Sequence, residues 1–334
     1  MKTIYNKLLY TATGLPIIRN IAKPWQGRAC ILCYHRIDNN LKTKQDSHPN
    51  GNLISESAFH NQMQVLSNEY DVISMDNMSG HLSGPSSDFK VAVTFDDGYR
   101  DNLTVALPIL EKFNIPATIY VTTRFPEGNN WMWWYEIWDC LANLDDLTIN
   151  FMGVFQKYNV TRYNSKKECF LKLTKWMSQL TSKEQFDLMS EISKTTKRRQ
   201  YPELCLNWDE IKYLDSNPLI TIGAHSHTHP KLKNLTYEES FFEINSSKEI
   251  LEDKLSRKIE HFAYPFGGVN DIGKKELEII RKCGFDTATT TIKKPINDFN
   301  RYLIPRALVQ EYMSDNGFRA VLSGWNNLFA KYSN

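Results

Sequence analysis

Neither sign of charge dominates this 334-residue chain, in which 40 Lys and Arg face 38 Asp and Glu for a formal balance of +2. Without a surplus of positive charge there is no electrostatic footprint for nucleic acid, and that class of partner is set aside. The one dense basic cluster, residues 194–199 (KTTKRR), reads as a solvated helix end. Long apolar runs are missing as well. The uncharged stretch from Leu8 to Ile18 falls far short of the roughly 20 residues that cross a bilayer. Its length suits a signal-peptide core, but Arg19 follows directly and no A-x-A cleavage site appears. Residues 1–24 are therefore expected to form a short helix lying on the domain or on a membrane surface. The expected location is cytoplasmic, with peripheral membrane contact left open. Paired cysteines are absent too. Six cysteines are scattered at 30, 33, 140, 169, 205 and 283, without the spacing of a disulfide framework. Cys30 and Cys33 form a CxxC inside the apolar run ACILCYH, where strand geometry sends residues three apart to opposite faces, so the pair cannot jointly grip a metal. No HExxH occurs, which disfavours a metalloprotease.

What remains is an ordinary globular composition, long enough for one large α/β domain or two smaller ones. Short β-rich runs recur at 29–35, 90–95, 117–122, 220–225, 261–265, 286–291 and 303–309. Helical patterns separate them at 57–69, 101–113, 237–255 and 271–283, the last closed by Gly284. Alternation of this kind predicts parallel strands with helical crossovers, and about seven strands fit an α/β barrel of the TIM type. The expected organisation is an N-terminal segment (1–24) and one barrel domain (25–334). Residues 127–206 interrupt the rhythm with helical periodicity and no convincing strand, predicting a helical insertion over the end of the barrel where active sites form.

Three strand ends carry chemistry. VAVTF runs into Asp96-Asp97-Gly98, and two adjacent acids at a buried strand end need a cation or hydrogen bonds to stabilise them; an Asp-Gly turn is the plainer alternative. ITIGA runs into His225-Ser226-His227-Thr228-His229, where His225 and His229 have H-x-x-x-H spacing and imidazoles are favoured ligands of zinc-like ions. His227 could be a ligand, a supporting residue or a solvated bystander, and is taken as the bystander. The third, Ala263-Tyr264-Pro265-Phe266-Gly267, presents backbone amides that could wall an oxyanion pocket, with Tyr264 and Phe266 as candidates, although an ordinary strand-to-loop turn is the more common explanation of such a run. In the Trp-rich stretch 131–138, Trp131, Trp134 and Trp138 recur at helical spacing and read as a buried face. Trp133 points elsewhere and is the candidate sugar-stacking platform, with membrane-interface contact as the other reading.

TFDDG, HSHTH and AYPFG, in that order, resemble the NodB-like polysaccharide deacetylases, carbohydrate esterase family 4, over residues 29–310 outside the insertion. The resemblance implies a distorted (β/α) barrel of about seven strands and one divalent metal, usually zinc. It assigns Asp96 as general base and Asp97, His225 and His229 as metal ligands, with the backbone amide of Phe266 facing the oxyanion. Two features depart from the family's commonest pattern: Ala263 stands where an arginine usually holds the base, and the last strand run, LIPRALV, lacks the usual histidine. In this the chain is similar to the subgroup acting on poly-N-acetylglucosamine and related cell-surface glycans, in which an early Tyr-His motif reaches the site. Tyr34-His35-Arg36 fits that motif, making His35 the candidate acid, with a satisfied buried histidine as its alternative. Arg306 becomes the candidate for orienting Asp96, with a structural ion pair as its alternative. The expected activity is removal of an N-acetyl group from an N-acetylated glycan. The alternatives are deacylation of a lipid-linked sugar or small amide, and an inactive glycan-binding protein.

Overall fold

The computed structural model describes residues 26–38, 52–128, 130–311 and 315–324; the N-terminal segment expected at 1–24 lies outside them. The chain opens with β1 (Ala29–Tyr34), β2 (Arg36–Asp38), β3 (Leu53–Ser55), α1 (Glu56–Glu69), β4 (Asp71–Val72), α2 (Met75–Ser83) and β5 (Lys90–Phe95). A π-helical turn (Asn102–Ala106) leads into α3 (Leu107–Phe113), then β6 (Ala117–Val121). The insertion follows as α4 (Trp133–Ala142), β7 (Asp146–Phe151), β8 (Val154–Asn159), α5 (Tyr163–Met177) and α6 (Ser182–Ser193). The barrel resumes with α7 (Trp208–Asp215), β9 (Ile220–Ala224), α8 (Tyr237–Leu255), β10 (His261–Ala263), α9 (Lys274–Lys282), β11 (Thr287–Thr289), β12 (Ala307–Leu308) and α10 (Asp315–Leu322).

Seven strands lie in the order β11-β10-β9-β6-β5-β1-β12, all parallel, with β4 pairing beside β5. A parallel bridge between Thr289 and Ile304 joins the two ends of the curled sheet, giving a distorted (β/α) barrel. Near-continuous burial along β5 and β6 is what parallel strands covered on both faces require. Local sequence starts the crossover helices where the barrel needs them. Thr236 and Glu239 cap α8 reciprocally, and its Ile244, Ser247 and Leu251 are buried towards the sheet.

The insertion corrects the all-helical expectation for 127–206. β7 and β8 form an antiparallel hairpin turning at Met152 and Gly153, both at positive φ. On β7 every second residue, Leu147 and Ile149, is buried among α4, α5 and α6, so the insertion owns a second apolar core. The basic run 194–199 is also more than a solvated end. Arg198 is buried against Glu136 and lies over the rings of Phe186 and Trp131, while Arg199 pairs with Asp139. The helix expected over 101–113 begins with the π-turn instead of regular α-helix, because the side chains of Asp101 and Asn102 are committed to the loop after β1.

Candidate active site

Parallel strands send their C-terminal ends to one face, so His35 after β1, Asp96 and Asp97 after β5, His225 after β9 and Phe266 beyond β10 converge there. With His229, Trp133 and Trp134 they line one pocket of about 420 Å³. The backbone is forced at this convergence. Asp97, Ser226, His229 and Phe266 all have φ between 62° and 75°, whereas the other non-glycine residues at positive φ sit at helix ends or in the hairpin turn. Such conformations cost about 1–3 kcal/mol each and persist where the surroundings enforce them.

Asp96 is buried and held by a fork. Arg306 Nη1 donates to Oδ1 at 2.6 Å and Nη2 to Oδ2 at 2.7 Å, and the same guanidinium donates to Thr94 Oγ1 and to the Thr290 carbonyl. Burial pushes the Asp96 carboxyl up, but Arg306, with His225 and His35 adding to it, brings it down to about 2. The Arg306 guanidinium rests over the Tyr120 ring, and that ring occupies the space a side chain at Gly223 would fill. The Cys33 thiol donates to Asp96 Oδ2 at 3.4 Å, and burial raises its pKa so that it stays protonated. Cys33 does not act with Cys30, which lies one face away, and sequence reasoning about a CxxC passed over this role.

Asp97, His225 and His229 form the second group. Asp97 Oδ1 lies 3.4 Å from His225 Nε2 and 3.2 Å from His229 Nε2, yet this buried oxygen makes no hydrogen bond of acceptable geometry. Two ligands at about 2.1 Å from one ion are separated by roughly this much. A carbonyl only accepts, so the 2.8 Å contact of His225 Nδ1 with Ala263 O puts the proton on Nδ1 and leaves the Nε2 lone pair facing Asp97. Against the upward push of burial, His229 and His225 hold Asp97 well below the usual carboxylate range; against the downward push of burial, Asp96 and Asp97 draw His225 up. A buried acid and two imidazoles with an orphaned oxygen between them fit a divalent cation. The His229 ring is set among Trp134, Phe125 and Phe266, while Ser226 Oγ accepts from its backbone N–H. Glu243 on α8 accepts from the N–H groups of His227 and Thr228 and from the Thr228 hydroxyl, anchoring the whole loop. Sequence reasoning missed Glu243; the unpaired amides of a tight polar loop were the only signal that an acceptor was needed.

His35 lines the pocket, with a ring nitrogen within 4.8 Å of both Asp96 and the Cys33 sulfur. Burial pushes its pKa down further than Asp97 and Asp96 pull it up, and its Nδ1 has no hydrogen-bond partner among the described residues. His227 is turned away, bonded to Thr123 and packed on Phe242. Phe266 accepts the Thr291 hydroxyl on its carbonyl while its own N–H makes no hydrogen bond among the described residues. Tyr264 is not brought to the site. Period-two alternation puts it on the same face as Phe262, in the core, where its hydroxyl donates to the Tyr302 carbonyl. Trp134 is buried as the helical spacing predicts, but Trp133, expected to point elsewhere, is buried in the same core; both line the pocket, and the two rings meet edge to face at 5.2 Å. Trp131 instead donates to Glu136 within the insertion.

Comparison with known proteins bears on the family and the fold. A family model described as polysaccharide deacetylase matches residues 83–288, more than half the chain. No curated protein matches the sequence. Among solved structures, the Streptococcus pyogenes deacetylase PplD in complex with acetate is similar at 18% identity, covering 88% of this chain and 97% of that one with a TM-score of 0.57. IcaB from Ammonifex degensii is similar at 18% identity, with 89% and 97% covered and a TM-score of 0.56. A de-N-acetylase from Aggregatibacter actinomycetemcomitans gives 14% identity, 86% and 96% coverage and 0.53. At these identities the likeness is one of fold.

Proposed function

The chain belongs to the polysaccharide deacetylase family of hydrolases, and on that footing we propose that it is a metal-dependent deacetylase releasing acetate from an N-acetylated sugar in a glycan. The observation that carries this reading is the pairing, in one pocket, of an arginine-held carboxylate (Asp96) with an adjacent Asp97–His225–His229 set whose central oxygen is orphaned. Asp97, His225 and His229 would hold the ion, and one carboxylate with two imidazoles suits Zn2+. A divalent ion there supplies Lewis acidity, lowering the pKa of a water from 15.7 to about 7 and polarising a carbonyl.

The chain's own residues do the rest. Arg306 keeps Asp96 ionised at neutral pH, which leaves it free to accept a proton but makes it a weak base, suited only to an acidified water. As the water oxygen bonds to the acetyl carbon, its proton passes to Asp96. The developing oxyanion can rest on the free N–H of Phe266. His35 rests neutral, with a ring nitrogen within 4.8 Å of the Asp96 carboxylate, so it can take up the proton that Asp96 received from the water and pass it to the sugar nitrogen as the C–N bond breaks, which returns both residues to their starting state. Acetate and a free amine result. Trp133 and Trp134 supply aromatic faces for a sugar ring.

The test is acetate release from N-acetylglucosamine oligomers with added zinc, after chelation, and for Asp96→Asn. Metal-dependent release that disappears in the variant is expected. A protein that binds no divalent ion at Asp97, His225 and His229 would sink the reading.

A further inference from the structure

If His35 delivers the proton, its ring must be held at the reacting centre, and among the described residues no hydrogen bond to the ring does this, Nδ1 being buried without one. The hold is on the backbone to either side. Asn102 Nδ2 donates to the His35 carbonyl at 2.8 Å, and Asp101 Oδ1 accepts from the Ile37 N–H at 3.1 Å. Asp101 Oδ2 also accepts from Arg36 Nε at 2.7 Å, so the residues 35, 36 and 37 are each tied to one acidic-amide pair. Arg36 in turn donates to the Tyr135 hydroxyl at 3.0 Å and lies over the rings of Tyr99 and Tyr135. Tyr135 follows Trp133 and Trp134 on α4, so the same network reaches the aromatic wall of the pocket.

This arrangement is costly. Asp101 and Asn102 are buried, and Asn102 Oδ1 has no hydrogen-bond partner among the described residues. A half-satisfied buried amide is destabilising unless something else requires it. Directly behind it the helix takes a π-turn, with the Leu107 N–H bonding to the Asn102 carbonyl, and such single-turn irregularities gather at functional sites. The turn lets Asp101 and Asn102 face the loop after β1 while α3 packs on the barrel.

We propose that Asp101 and Asn102 are positioning residues that hold His35 at the reacting centre through its backbone, and that Arg36 and Tyr135 tie this clamp to the insertion helix forming the pocket wall. The inference rests on the reading of His35 as proton donor. It goes beyond that reading by naming what aims the donor and by giving the insertion a part in it.

The test is a kinetic cycle on the zinc-loaded enzyme with N-acetylglucosamine oligomers: Asn102→Ala, His35→Ala and the double variant, with metal content and thermal unfolding measured on each. Asn102→Ala should lower kcat on the order of tenfold to a hundredfold with KM little changed, as expected for a misplaced catalytic group. In the His35→Ala background the same substitution should have no further effect on the residual rate. Asp101→Asn, which keeps an acceptor for the Ile37 N–H, should retain more activity than Asp101→Ala. Tyr135→Phe gives a milder probe that keeps the ring, and its smaller loss of kcat should likewise vanish without His35. Equal fold-losses in both backgrounds overturn the clamp, as does an unchanged kcat in Asn102→Ala. Wild-type kcat in His35→Ala overturns the proton-donor reading first, and the clamp with it, so the two failures are told apart.

Discussion

Replacing Arg306 by Met removes both donors that grip Asp96 and leaves a carboxylate that is 2% exposed, with the Cys33 thiol as its remaining side-chain hydrogen-bond donor among the described residues. Breaking a buried pair in this way costs about 3–5 kcal/mol, because the surviving charge is desolvated and uncompensated. The pair also fixes how stability depends on pH. With Asp96 lowered from 3.8 to about 2 in the fold, its ionised form stabilises the native state by about 2 kcal/mol above pH ~4, and that contribution is lost as pH falls towards 2. Without Arg306, burial dominates and the carboxyl is pushed above its ordinary value. The sign then reverses: the variant is relatively more stable where Asp96 is protonated and loses ground as pH rises. Urea unfolding at constant zinc, from pH 4 to 8, reads both effects. Arg306→Met should lose several kcal/mol at pH 8 and less at pH 4, and adding Asp96→Asn should recover part of the loss, since no charge then remains to be desolvated. The acid limb of activity should move to higher pH in the single variant. A cost under about 1 kcal/mol, or no recovery in the double variant, would refute the idea that Arg306 exists to hold a buried anion.

Three further outcomes are expected. Asp97→Asn and His229→Ala should each lower bound divalent metal measured after dialysis, with Asp97→Asn the more damaging because it removes the only charge among the three ligands. Gly223→Ala should destabilise by about 1–3 kcal/mol and lower the thermal midpoint, since its new Cβ meets the Tyr120 ring at 2.6 Å and the His261 carbonyl at 2.9 Å; an unchanged midpoint would show that Tyr120 is free to move. Trp134→Ala should raise KM for oligosaccharides more than Trp133→Phe does, since Trp134 also packs on His229; equal effects on KM would mean the two rings serve the sugar alike.

The barrel was legible because parallel strands announce themselves: ACILCY, KVAVTF and ITIGA are apolar runs that end abruptly in polar residues, and in a parallel sheet those ends share one face. That is also why Asp96, Asp97, His225 and His229 could be grouped before any geometry was known. The hairpin of the insertion was readable in principle, since DLTINF alternates strictly, but β8 exposes nearly every side chain and carries no apolar period of its own. Tyr264 shows the opposite error. Its motif suggested the pocket, while the plain alternation of Phe262 and Tyr264 already assigned it to the core.

What no periodicity could reveal is how distant segments divide the work of holding one group. Asp96 is gripped by an arginine 210 positions away and by a thiol 63 positions away, and the loop after β1 is pinned by side chains about 65 positions downstream. Each partner looks unremarkable in its own stretch: Cys33 reads as a strand hydrophobe, Asp101 as a helix start, and Arg306, singled out by the resemblance alone, as one cation in a short strand. Their significance arises only because the barrel closes through the Thr289–Ile304 bridge, which carries Arg306 back across the β1–β5 edge to Asp96. The arginine that the family's usual pattern places at position 263 is thus supplied from the other side of the closure. The backbone carbonyl of Ala263 accepts from His225 Nδ1. Asp96 thus takes its cation from one side of the closure, and His225 takes the acceptor that sets its tautomer from the other.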